Sequence, residues 1–217
     1  GTWAKQGAGT LALGGVSTYS GDTSINNGTL QMTAGSNRLP VGTVLRLGQA
    51  ASANLGTLDL NGQNQEVQGL ISTAGSNAGA SKNMITSVAA ATLTLGGSGS
   101  YTFSAGTAAN SGLIGGAISL VKNGSGTQTF GEANTYTGKT TLNAGTIAGG
   151  GESIFGTNPA SFVADQITLN GGTIQASLGN IVFNSNRGLT LGEQGGTFDS
   201  AGNTIVMKPS SHTSLSL

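Results

Sequence analysis

Apolar and polar residues alternate along this chain in short runs. Thr10-Leu11-Ala12-Leu13, Leu58-Asp59-Leu60, Leu93-Thr94-Leu95 and Ile167-Thr168-Leu169 each place two branched apolar side chains at i and i+2. A period of two is the signature of a β-strand with one buried face. The runs are about 4–6 residues long and end at Gly or Asn. Asn27-Gly28, Asn61-Gly62, Asn123-Gly124 and Asn170-Gly171 are four Asn-Gly pairs. Both residue types tolerate left-handed backbone, so the pairs suit either hairpin turns or the tight corners of a solenoid.

Self-similarity decides between those readings. Trp3–Leu30 and Leu120–Ile147 align with a shift of 117 and are identical at 12 of 28 positions. The matches include Lys5/Lys122, Gly7/Gly124, Gly9/Gly126, Tyr19/Tyr136, Thr23/Thr140, Asn26/Asn143 and Gly28/Gly145. A shared Gly-rich bias would not also match Lys, Tyr and the apolar spacing. A shorter unit, Gly-Thr followed by a branched or aromatic residue, begins at Gly9, Gly28, Gly42, Gly56, Gly145, Gly172 and Gly196. Its loose spacing fits a coiled ribbon with variable corners better than the fixed period of a propeller. The expected fold is all-β, a right-handed parallel β-helix of about nine or ten coils, each of roughly 20–25 residues.

The pattern assigns a buried column to Leu13, Leu30, Leu58, Leu60, Leu93, Leu95, Ile147, Ile167, Leu169 and Ile174. At Thr43–Leu47 two registers compete. Burying Leu45 and Leu47 is preferred, because the other register buries Arg46 without a partner. Composition sharpens this picture. Gly, Thr, Ser and Asn make up 39, 28, 24 and 18 of the 217 residues, which disfavours long helices. An apolar fraction of 36% with only 7% charged residues argues against disorder. Eight basic residues balance eight acidic ones, so no charge footprint for nucleic acid exists. There is no Cys, which excludes disulfides and thiolate metal sites. No apolar run is long enough for a membrane-spanning helix.

The two long copies, KQGAGTLALGGVSTYSGDTSINNGTLQ and KNGSGTQTFGEANTYTGKTTLNAGTI, resemble the passenger-associated repeat of bacterial autotransporters. Residues 58–65, LDLNGQNQ, resemble the strands that lie between such repeats. The first copy departs from the pattern at Ser17, where the second has Asn134; the second has Gln128 where the first has Leu11. The resemblance implies export, display outside the cell and a β-helical stalk. It implies no catalytic residues, because the repeat is a structural unit. The expectation is a single β-helix over residues 1–217, a segment of a longer protein, with repeat copies at 3–30 and 120–147.

Candidate chemistry is sparse. The carboxylates are Asp22, Asp59, Glu66, Glu132, Glu152, Asp165, Glu193 and Asp199. Glu132 and Glu152 lie 20 apart and could stack on one face; Asp59 with Glu66, and Glu193 with Asp199, flank expected corners. A catalytic pair needs a defined separation and split pKa values, which spacing alone does not supply. His212 is the sole His, so neither a zinc site nor a catalytic triad is indicated. Tyr19 and Tyr136 share one repeat position and are expected to pack over a corner rather than stack on sugars. No catalytic, metal or cofactor-binding residue is assigned and no cofactor is expected. The expected function is non-catalytic: a stalk, fibre or matrix element outside a bacterial cell. Its expected partners are neighbouring coils or further copies joined end to end, and surface glycans. The rival readings are an adhesin or glycan-binding passenger and a polysaccharide-active enzyme.

Overall fold

The computed structural model describes residues 1–73, 82–104 and 111–208. His212 lies outside them. All strand pairs are parallel, and the chain winds as a β-solenoid of about seven turns. That is slightly fewer than the nine or ten expected, because many turns are longer than the roughly 20–25 residues assumed, and turn length varies. Thr127 pairs with Thr146, a turn of 19 residues, whereas Asn83 pairs with Gly112, a turn of 29.

Three faces form. The first stacks Trp3–Lys5, Thr23–Ile25, Val44–Leu47 and Gly69–Ser72; above them a separate sheet stacks Ser100–Phe103, Thr127–Phe130, Thr146–Gly149, Thr173–Ala176 and Thr197–Asp199. The second face runs from Thr10–Leu13 through Gly28–Met32, Gly56–Asp59, Asn83–Thr86 and Gly112–Gly116 to Thr135–Tyr136. The 3-10 helix Glu152–Phe155 interrupts it before Ile181–Phe183 and Ile205–Met207. The third face holds Gln65–Val67, Ala91–Leu95, Ile118–Lys122, Thr140–Leu142, Val163–Leu169 and Arg187–Leu191.

The ladders convert the period-two pattern into axial columns. Leu30, Leu58, Ile85 and Ile114 stack inside the second face, and Leu95, Lys122, Leu142 and Leu169 inside the third. Every residue assigned to the column from sequence is fully buried except Leu13. Leu13 is half-buried because its strand is the outermost of its sheet. Burying each Leu or Ile contributes about 1.5–3 kcal/mol. Leu45 and Leu47 point inward, and Arg46 turns out to meet Asp22 of the preceding turn at 2.6 Å. Outward rows carry hydroxyls: Ser100, Thr127, Thr146, Thr173 and Thr197 succeed one another up the first face.

The first face changes sheet between Gly69–Ser72 and Ser100–Phe103. The Tyr101 ring lies against Gly69, where a Cβ would come within 2.1 Å of it. The Gln128 side chain then takes over the Leu70 peptide groups: Leu70 N–H donates to its Oε1 at 2.9 Å, and its Nε2 donates to Leu70 O at 3.1 Å.

Candidate functional site

The two long repeats build the same corner. In the first, Lys5 is buried at the end of its strand and its Nζ donates to the carbonyls of Gln6, Gly7 and Asn27 at 2.9, 2.6 and 2.9 Å. Asn27 belongs to the next turn, so one ammonium ties two turns together. In the second, Lys122 Nζ donates to Gly124 O. Each Lys carries its stem in an inward column and turns its charge onto corner carbonyls. Two hydroxyl pairs repeat as well: Tyr19 with Thr23 at 2.5 Å, and Tyr136 with Thr140 at 2.8 Å. The copies nonetheless occupy different corners. The chain circulates third face, first face, second face; the first copy spans the first-to-second corner and the second copy the third-to-first.

Burial shifts the titration of this corner. It pulls Lys122 down from 10.5 to about 8 and holds Tyr136 well above its ordinary value of 10.0 despite the Thr140 hydrogen bond. Between about 8 and 10.5 the unfolded Lys122 keeps a proton that the folded one has lost, so stability rises with pH there. Above 10 the unfolded Tyr136 ionises while the folded one does not, so stability falls. The urea midpoint is expected to climb from pH 8 towards pH 10, and Lys122→Met to flatten that climb. A wild-type midpoint flat over this interval would contradict the assignment.

The two departures from repeat identity carry distinct contacts. Asn134 Oδ1 accepts from Ile114 N–H at 2.9 Å, and its Nδ2 donates to Ile154 O at 3.0 Å, linking three turns. Ser17 makes only the backbone part of this link, its N–H donating to Arg38 O at 2.9 Å. The coverings differ too. Tyr136 is fully buried under the turn that carries Ile154, Phe155 and Gly156. Tyr19 is half-buried, stacks on Trp3 at 6.3 Å and borders a groove of about 480 Å³ with Val16, Leu39, Pro40 and Val41.

The carboxylates do not converge. Glu132 meets Lys82 at 3.5 Å and Glu152 meets Arg187 at 2.8 Å, so the two do not form a pair with each other. Lys139 binds Asp165 at 2.6 Å and holds its carboxyl below the usual range. Asp59 and Asp199 share a different arrangement. Each accepts from the Gln one turn earlier, Gln31 at 2.8 Å and Gln175 at 2.7 Å, and each caps a corner N–H two residues on. The Gln175 contact, with the Ala201 N–H, lowers the Asp199 pKa. No group of three acidic or His residues suited to a metal ion occurs among the described residues. Ser111 meets Lys82 Nζ at 2.5 Å, but this ammonium donates to Ser111 and pairs with Glu132, which is not the arrangement of a general base.

These features define a class: a repeat-built parallel β-solenoid whose polar groups are spent on joining successive turns. Residues 4–32 and 120–148 match the family model described as the passenger-associated-transport-repeat. The chain carries two copies of this autotransporter passenger repeat, as its sequence leads one to expect. No curated protein and no solved structure matches the chain.

Proposed function

We propose that this chain is a non-catalytic rod segment of an autotransporter passenger, displayed outside the bacterial cell, whose task is to space or carry other parts. The observation that supports the reading is the repeated Lys–carbonyl corner: in both copies a buried Lys is turned onto the carbonyls of its corner, and in the first copy it also ties two turns together. Support for such a rod comes from the outermost described rungs, which expose side chains of the core columns, Leu11 at 40% and Phe198 at 37%. Further coils, or copies joined end to end, are the fitting partners.

Electron microscopy of the intact parent protein tests this. Continuous rods or fibres are expected, and compact globular particles would overturn the reading. The groove beside Tyr19 supports a second reading, an adhesin that engages surface glycans. Rods that bind polysaccharide through Val16, Tyr19 and Val41 would favour it.

A further inference from the structure

Asn-Gly is the dipeptide most prone to spontaneous deamidation, because glycine leaves the following nitrogen unhindered. That nitrogen gives up its proton and attacks the Asn Cγ, an N–Cγ bond forms, the Cγ–Nδ2 bond breaks and the amide nitrogen takes up a proton to leave as ammonia. Water then opens the succinimide to Asp or isoAsp. Asn is accordingly a thermolabile residue in long-lived proteins. The chain holds four such pairs, and in the fold all four attacking nitrogens donate a hydrogen bond to an adjacent turn. Gly28 N–H goes to Leu55 O at 2.9 Å, Gly124 N–H to Leu95 O at 3.1 Å and Gly171 N–H to Gly195 O at 2.7 Å. Gly62 N–H alone goes to a side chain, Ser87 Oγ, at 2.9 Å.

We propose that the solenoid shields its four Asn-Gly pairs from succinimide formation, and that Ser87 is the residue protecting Asn61. Ser87 is fully buried, and its hydroxyl is held in place by donating to Ala89 O at 2.6 Å while it accepts from Gly62. Asn61 itself is exposed at the corner, so water reaches the imide it would form. Its side chain has structural work as well: Nδ2 donates to Met32 O at 3.0 Å, one turn below. Conversion to isoAsp removes that donor and lengthens the backbone at a corner where Asn61 sits at φ 48°.

Peptide mapping by mass spectrometry after incubation at mildly alkaline pH reads the outcome directly. In urea, all four Asn residues of the full chain are expected to convert together. In the folded wild type, conversion is expected to be at least about tenfold slower at every site. In folded Ser87→Ala, Asn61 is expected to convert about tenfold faster than in wild type, the other three unchanged, with Ser87→Thr restoring protection. Circular dichroism of each variant shows whether it remains folded. Rapid conversion in the folded wild type, or an unchanged Asn61 rate in folded Ser87→Ala, would overturn the proposal. If Ser87→Ala unfolds, the comparison of folded and urea-treated wild type still decides whether the fold shields the pairs.

Discussion

Arg187→Ala is expected to destabilise the turns around the 3-10 helix by about 3–5 kcal/mol, the range for removing one partner of a buried ion pair. The Arg187 side chain is completely buried, and Glu152, its partner at 2.8 Å, is only 13% exposed. The guanidinium also donates to Phe155 O at 2.7 Å, Gly156 O at 3.0 Å and Asn158 Oδ1 at 2.9 Å. Alanine therefore strands a buried carboxylate and three acceptors together, because it supplies none of the donors of the planar guanidinium. Because solenoid turns contact only their neighbours, the loss is expected to be regional. Hydrogen exchange should accelerate across residues 152–160 and their neighbouring turns, leaving the ladder of Leu30, Leu58 and Ile85 protected. Glu152→Gln should cost less, since an amide oxygen still accepts from Arg187 Nε and from Asn184 N–H. A loss below about 1 kcal/mol in Arg187→Ala would show that the pair is peripheral to folding.

That cluster marks where sequence stopped being informative. The core columns were readable because a period of two fixes which side chains face inward, and a one-residue slip would have exposed all of them. The choice at Thr43–Leu47 followed from the expense of burying Arg46, and the fold agrees, giving that side chain Asp22 on the outside. Arg187 fails the same test. It is buried at Arg187–Leu191, and its partner Glu152 lies 35 residues away on an interrupting helix that no alternation announces. Gln128 and Asn134 were visible only as departures between the copies. Their roles depend on which turns stack beside them, which the 117-residue shift does not encode. The same shift hid that the copies occupy different corners, because coils of 19 to 29 residues carry the second copy partway round the axis. For the chemistry of a site, the sequence shows only that the carboxylates are scattered along the chain. It could not show that most of them are engaged by Arg, Lys or Gln side chains of other turns.

Gly126→Ala is expected to cost about 3 kcal/mol, at the upper end for overpacking, whereas Gly9→Ala at the matching position of the first copy should fall within about 0.5 kcal/mol of wild type. A Cβ on Gly126 would stand 2.0 Å from Gly99 O, 2.5 Å from Ser98 C and 2.8 Å from Gly99 N. All three are backbone atoms of the adjacent turn, fixed by the bonds from Gly126 N–H to Gly97 O and Thr127 N–H to Gly99 O. They cannot rotate aside as a side chain tip would. Around Gly9 nothing lies within 4 Å of the same Cβ, and the smaller unfolded-state entropy of alanine even favours the change slightly. Urea denaturation of both variants in this chain measures the contrast; equal effects would mean that the repeat glycines serve backbone conformation rather than close stacking. The pair also reports on the parent protein. If another turn stacks against the first copy there, Gly9 acquires the neighbours that Gly126 has, and Gly9→Ala becomes as damaging as Gly126→Ala. A substitution that is neutral in this chain and costly in the parent would therefore locate the continuation of the solenoid at the repeat itself.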